Sequence, residues 1–209
     1  MTDLLGVTLE QALQNSWLEL LAVILGIAYL LLAMRENILC WYAAFFSTAI
    51  FLSVFWQVKL YMESGLQVYY LAMAVYGWYQ WRGNSDNNEN SDKSSSLAIS
   101  TWTGQRHVTV IFATLCISGV SGYGLSTYTD ANFPYLDSFT TWGAVVTTYM
   151  VARKVLENWI YWFVLDALSI YLYLDRGLYF TALLFAAYLI IVIFGYRTWS
   201  RRYSQQTPI

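Results

Sequence analysis

Charge is scarce in this chain. Of its 209 residues only 11% are Asp, Glu, Lys or Arg, against about 25% in an ordinary soluble domain. The formal net charge of -2 offers no basic surface for nucleic acid. The two cysteines, Cys40 and Cys116, lie in separate apolar stretches. Isolated thiols make neither a disulfide framework nor a metal site, and they read as small packing residues. No G-x-x-x-x-G-K-[ST] phosphate loop occurs, and neither H-E-x-x-H nor G-x-S-x-G is present, so hydrolysis of nucleotide by the first route has no carrier. The expectation is a chain with no cofactor, no bound metal and no enzymatic activity. The single histidine, His107, opens an apolar stretch, where a solvated boundary residue is favoured over a proton relay. The first 16 residues carry Asp3 and Glu10 but no Lys or Arg, unlike the basic start of a secretory signal.

What remains is apolar and aromatic. Hydrophobic residues make up 58% and aromatics 19%, with 10 Trp and 18 Tyr. A soluble fold of this size has too little interior for so much apolar surface, so a lipid bilayer is the expected partner. The chain also aligns with itself. Residues 17–81, shifted by 118 positions without a gap, fall on 135–199. Arg35 lands on Arg153, Trp41 on Trp159, Tyr70 on Tyr188, Gly77 on Gly195 and Trp81 on Trp199. Internal repeats fix architecture before any other reading, and two related apolar halves are how many transporters are built. At Gly77 and Gly195 close packing is favoured over bending.

A spanning helix needs about 20 apolar residues. Seven stretches qualify: 17–34, 38–57, 64–81, 107–125, 135–152, 158–175 and 178–197. The tract 82–106 is Ser- and Asn-rich and nearly charge-balanced, and it reads as a flexible polar loop. The expected organisation is an outer segment (1–16), a three-helix repeat (17–81), the loop (82–106), a linker helix (107–125), a second three-helix repeat (135–199) and a tail (200–209). Three helices are an odd number, so one additional crossing is needed to set the second triplet parallel to the first. The fold class is therefore an all-α membrane protein of seven helices in a 3+1+3 arrangement. In the linker, Ala113, Ser118, Ser121 and Gly122 suit close helix packing. One side of the membrane receives Lys59 and Arg176. The other receives Arg35, Arg82, Lys93, Arg106, Arg153, Lys154, Arg197, Arg201 and Arg202. By the positive-inside rule the N-terminus is outside and the C-terminus cytoplasmic. Trp17, Trp41, Trp56, Trp81, Trp159 and Trp199 lie near span ends, where aromatic belts belong.

Asp166 does not belong in lipid. It lies near the middle of the sixth span, where a carboxylate costs about 2.5–3.5 kcal/mol on insertion scales. It either bonds a neighbouring helix or faces a wet cavity, and its face favours the cavity. Trp159, Trp162, Asp166, Ser169 and Tyr173 recur at steps of three, four, three and four, which is one stripe of an α-helix. Two indoles, a carboxylate, a hydroxyl and a phenol suit a polar molecule with a flat ring, and indole faces attract a cationic ring. The first-half equivalents, Trp41, Ala44, Thr48, Phe51 and Phe55, are mostly apolar, which points to an asymmetric substrate. The third span adds Gln67, Tyr69, Tyr70, Tyr76 and Gln80. Gln67 needs hydrogen-bond partners, from a helix or from a ligand. Tyr70 and Tyr188 flank a planar ligand or simply pack. Glu19 and Asp137, repeat mates near the outer ends of the first helices, are either solvated or form a vestibule that favours cations. Trp41 and Thr48 join them as gating candidates.

Tyr76-Gly77-Trp78-Tyr79-Gln80-Trp81 and Asn158-Trp159-Ile160-Tyr161-Trp162 resemble motifs of the PnuC family of bacterial vitamin transporters, as do Glu19, Trp41 and Gly195 followed by Trp199. The resemblance covers residues 17–200. It implies a fold like that of the SWEET sugar facilitators, a homotrimer with one pathway per protomer, and placement in the bacterial inner membrane. It further implies facilitated diffusion of nicotinamide riboside by alternating access, with a cytoplasmic riboside kinase trapping the substrate. Relatives in that family move thiamine or riboflavin, so those vitamins, or a small sugar, stand as alternatives. On this reading Trp159, Trp162, Tyr70 and Tyr188 stack on the pyridinium or offer cation–π contact, Gln67, Gln80 and Asn158 meet the carboxamide or sugar hydroxyls, Asp166 bonds hydroxyls or offsets the charge, and Ser169 completes the substrate-binding set.

Overall fold

The computed structural model describes residues 2–57, 61–82, 97–129, 133–175 and 179–206; the side chains of 2–16, 19, 55, 57, 61–63, 173 and 179–181 lie outside that description. Seven helices follow one another: α1 (Thr2–Met34), α2 (Leu39–Gln57), α3 (Tyr61–Arg82), α4 (Gly104–Tyr128), α5 (Pro134–Ala152), α6 (Asn158–Asp175) and α7 (Tyr179–Gln206). The fold is all-α. Helix α1 begins well before residue 17, because residues 7–25 hold neither Gly nor Pro and are rich in Leu, Ala, Gln and Glu, all good helix formers. Helix α7 likewise runs past 197 to Gln206, since no breaker follows Gly195 until Pro208.

Contacts divide the chain into two compact units, Met1–Tyr79 and Gln80–Ile209. In the first unit α1 packs on α2, and the Ser47 hydroxyl of α2 donates to the Ala22 carbonyl of α1 at 2.7 Å. The turn between them is a Schellman cap: Asn37 N–H bonds Leu32 O at 2.9 Å and Glu36 N–H bonds Ala33 O at 3.0 Å. Glu36 takes the left-handed position, with φ 56°, which usually belongs to glycine. Asn37 Oδ1 then accepts from Leu39 N–H at 2.9 Å, capping the start of α2.

The second unit stacks α4 on α5, α5 on α6 and α6 on α7. Its α5–α6 turn repeats the same device 118 residues on. Val155 N–H bonds Met150 O at 2.9 Å, Lys154 N–H bonds Val151 O at 3.0 Å, and Lys154 has φ 48°. Helix α5 starts on Pro134 with Asp137 in its first turn, a favourable place for an acid against the helix dipole. Helix α4 lays Thr114, Ser118 and Gly122 inward, with the Tyr135 ring of α5 over Gly122 and the Ser118 hydroxyl donating to Ser138 O at 3.4 Å. Ser121 accepts from Trp142 Nε1 at 3.1 Å. Ala113 lies on the exposed side instead, with Val108, Phe112 and Val120. Many hydroxyls bond back to their own helix, such as Thr147 to Gly143 O and Thr148 to Ala144 O, both at 2.7 Å. This satisfies polar groups that an apolar surrounding would leave unpaired.

The expected loop 82–106 is ordered over its last part. Residues 97–103 form a strap along the α5–α6 turn: Ser100 N–H donates to Lys154 O at 2.9 Å and Leu156 N–H to Ser100 O at 2.8 Å, a parallel bridge to Val155. Ile99 is buried, and its N–H donates to Gln206 Oε1 at 3.1 Å. Trp102 N–H reaches Glu157 Oε2 at 3.3 Å, and Arg106 stacks on the Trp102 ring at 4.2 Å. His107, expected as a solvated boundary residue, meets the Tyr161 hydroxyl at 2.9 Å and Glu157 at 4.0 Å. The rest of the tract, 83–96, lies outside the described residues.

Among the described residues two helical stretches, Gly104–Tyr128 and Ala182–Gln206, are long and apolar enough to cross a membrane, each with a mean hydropathy of 1.7. Leu20–Met34 and Leu39–Val54 are shorter apolar helices. Seven stretches qualify by apolar run alone.

Candidate functional site

The polar stripe of α6 sits on one helix face at a range of depths in the second unit. Trp159 is 1% exposed, Asp166 is 4% exposed, and Trp162 and Ser169 are half-buried. Tyr173 has its side chain outside the described residues. Asp166 is held by the packed helix rather than by a partner: among the described residues it forms no hydrogen bond or ion pair. Tyr188 on α7 lies within electrostatic reach of it. A buried carboxylate is costly unless a hydrogen-bond donor meets it.

The N-terminal end of the same helix has a different task. Trp159 lies flat against Gly195 of α7, where an added Cβ would come within 2.5 Å of the indole. Its ring meets Trp199 edge-on at 5.4 Å. Asn158 is wholly buried, and its Nδ2 donates to Val155 O at 2.6 Å in the turn before the helix. Asn158 Oδ1 and Trp159 Nε1 have no partner among the described residues. Gln80 accepts from Arg153 Nη1 at 3.4 Å. Beside it Trp81 Nε1 donates to Ala152 O at 3.2 Å, Lys154 Nζ lies 4.7 Å over the Trp81 ring, and Trp81 packs on its own repeat mate Trp199 at 6.2 Å. Gln80, Asn158 and Trp159 thus lie at the α5–α6 turn and the α6–α7 contact, with Gln80 against Arg153 and one polar atom each of Asn158 and Trp159 left open among the described residues. Trp41, Trp81, Trp159 and Trp199 are buried, and only Trp17 and Trp56 stand exposed as a belt would require.

In the first unit Trp41 lies on Gly77, where a Cβ would come within 2.3 Å of the ring. This reproduces the Trp159–Gly195 contact. Trp41 is buried in this contact. Thr48, the mate of Asp166, is buried, and Gln67 and Tyr70 are half-buried on α3. Tyr70 packs on Tyr69 at 5.7 Å. Tyr29 of α1, absent from the expected set, meets Trp41 at 6.0 Å and lies within electrostatic reach of Tyr70. Its signal was present in the self-alignment, which pairs it with Thr147, a second buried hydroxyl. Asp137 is half-buried in the first turn of α5, and the Glu19 side chain lies outside the described residues.

A family model described as Nicotinamide mononucleotide transporter matches residues 16–201. The chain belongs to this family. Membership makes it a membrane transporter rather than an enzyme. It is 27% identical over 204 residues to the nicotinamide riboside transporter PnuC of Escherichia coli (strain K12), covering 88% of this chain and 85% of that one. It is 28% identical over 193 residues to the riboflavin/roseoflavin transporter RibM of Streptomyces davaonensis, covering 90% and 88%. The crystal structure of the vitamin B3 transporter PnuC superposes with a TM-score of 0.71 at 22% identity, covering 97% of this chain and 89% of that one. At that identity the likeness establishes the fold.

Proposed function

We propose that this transporter imports nicotinamide riboside through the inner membrane by facilitated diffusion, a cytoplasmic kinase trapping the product as its phosphate. The observation that carries the reading is Asp166, buried and, among the described residues, without a protein donor, on a stripe with Trp162 and Ser169 and with Tyr188 within electrostatic reach. The carboxylate and Ser169 would meet ribose hydroxyls, and Trp162 and Tyr188 would face the pyridinium, whose positive charge indole and phenol rings attract. Gln67, Tyr70 and Thr48 are the proposed ligand-facing set of the first half. The family description names the mononucleotide, but a phosphate needs cationic partners. The stripe has an acid in that place, and none of its members is Lys or Arg, which favours the uncharged ribose of the riboside.

The same reading includes the 3+1+3 arrangement, with α4 as the linker, the N-terminus outside and the C-terminus cytoplasmic, and assembly as a homotrimer. The likeness to RibM keeps riboflavin as the second reading, since identity to it matches that to the riboside carriers. Uptake of labelled nicotinamide riboside into proteoliposomes, with and without ion gradients and with a riboside kinase inside, tests the proposal. Accumulation that depends on the kinase but on no gradient is expected. Binding of riboflavin with no binding of the riboside would overturn it in favour of the second reading.

A further inference from the structure

Each half carries an apolar groove at the same place on its outer surface. In the second unit a groove of about 250 Å³ lies between α6 and α7, with Trp159, Tyr196 and Arg197 towards one end and Phe163 and Val192 towards the other. In the first unit a groove of about 430 Å³ has Trp41 and Trp78 towards one end and Phe45 and Ala74 towards the other. These residues are repeat mates, each pair 118 positions apart. Phe163 and Ile193 are well exposed, as are their mates Phe45 and Val75. In a membrane protein such a surface meets acyl chains, and a groove, unlike a ridge, can seat one chain along its length.

The two grooves differ at one end. Arg197 closes the second, whereas the equivalent first-half residue is Tyr79. Arg197 is exposed, and among the described residues it forms no hydrogen bond or ion pair. Arg201 follows one turn further along α7, also exposed. An apolar trough lined at one end by an exposed arginine has the polarity of a phospholipid with a negative headgroup, because the fork of Arg binds phosphate oxygens in pairs. Basic pockets between membrane helices bind anionic headgroups by this means. We infer that the α6–α7 groove is a binding site for one anionic phospholipid, its acyl chain against Phe163, Val192 and Ile193 and its phosphate on Arg197. The inference rests on the membrane location of the chain and is independent of its substrate.

The test uses the full chain in detergent, mixed with equal amounts of phosphatidylglycerol and phosphatidylcholine of the same acyl composition and read by native mass spectrometry. The wild type should retain phosphatidylglycerol about fivefold over phosphatidylcholine, the preference that one basic residue confers. Arg197→Gln should bring the two to parity. Ile193→Trp, which fills the groove, should reduce both. Tyr79→Arg should add a second bound phosphatidylglycerol, and this arm remains informative if Arg197→Gln fails to fold. Equal retention of the two lipids by the wild type, an unchanged preference in Arg197→Gln, or no second lipid in Tyr79→Arg would each overturn the assignment. So would a photo-crosslink from position 193 to a second copy of the chain, which would make the groove an interface between subunits.

Discussion

Gly195→Ala adds one methyl group and should be among the more damaging small substitutions available. The new carbon would sit 2.5, 2.6 and 2.7 Å from three atoms of the Trp159 indole, where carbon atoms prefer about 3.5–4.0 Å. The ring cannot withdraw freely, because Trp159 is 1% exposed and its edge-on neighbour Trp199 is fully buried. Either α7 must shift by about 1 Å or the indole must leave its rotamer, and overpacking of this kind costs about 1–3 kcal/mol. Against this, exchanging Gly for Ala in a helix interior gains about 1 kcal/mol. The net expectation is a loss of up to about 2 kcal/mol. Gly77→Ala should behave in the same way, since its added carbon would come within 2.3 Å of the Trp41 ring. Gly65→Ala is the control: among the described residues nothing lies within 4 Å of its added carbon, so only the helix-propensity gain applies and the sign reverses. Thermal unfolding of the three variants in one detergent reads the order directly. The double variant Trp159→Phe with Gly195→Ala should recover part of the loss, because a smaller ring makes room; the pair touches, so the two effects should not add. If Gly195→Ala melted at or above the temperature of Gly65→Ala, the indole–glycine contact would not be the constraint described.

Three further outcomes follow from the geometry. Asp166→Ala and Trp162→Ala should each abolish uptake in proteoliposomes while expression and melting stay near wild type; normal uptake by both would remove the α6 stripe from the mechanism. Glu36→Gly should raise the melting temperature by relieving the left-handed backbone, a penalty of about 1–2 kcal/mol for a side-chain-bearing residue. Lys154→Gly should gain less or lose stability, since it also gives up the Nζ contact over Trp81 at 4.7 Å, and equal gains would deny that contact any weight. Hydrogen exchange should show slow amides at Ser100 and Leu156, and Ser100→Pro, which deletes the donor to Lys154 O at 2.9 Å, should speed exchange at both; fast exchange in the wild type would dissolve the strap.

How far the sequence carried the structure depended on whether a feature was repeated, local or long-range. The seven apolar runs became seven helices because hydrophobic stretches bounded by polar turns are a local signal. The self-alignment carried more than architecture. It paired Trp41 with Trp159 and Gly77 with Gly195, and the structure places both indoles on both glycines. It also paired Glu36 with Lys154, unlike in charge yet both at positive φ in matching caps. The backbone turn was thus retained where side-chain identity was not. The strap was hidden for the opposite reason. Leu97, Ile99 and Trp102 separate 97–103 in composition from the polar tract before it, but its order comes from backbone pairing with a turn more than fifty positions away, which no local pattern reveals. The packing of Asn158, Trp159 and Gln80 was not legible, because a helix-face count gives the direction of a side chain but not what already occupies that space. Asp166 escapes that ambiguity. A mid-helix carboxylate has few structural uses in lipid, and this one meets no donor among the described residues. The residue whose burial is hardest to justify by packing is therefore the one on which the transport reading turns.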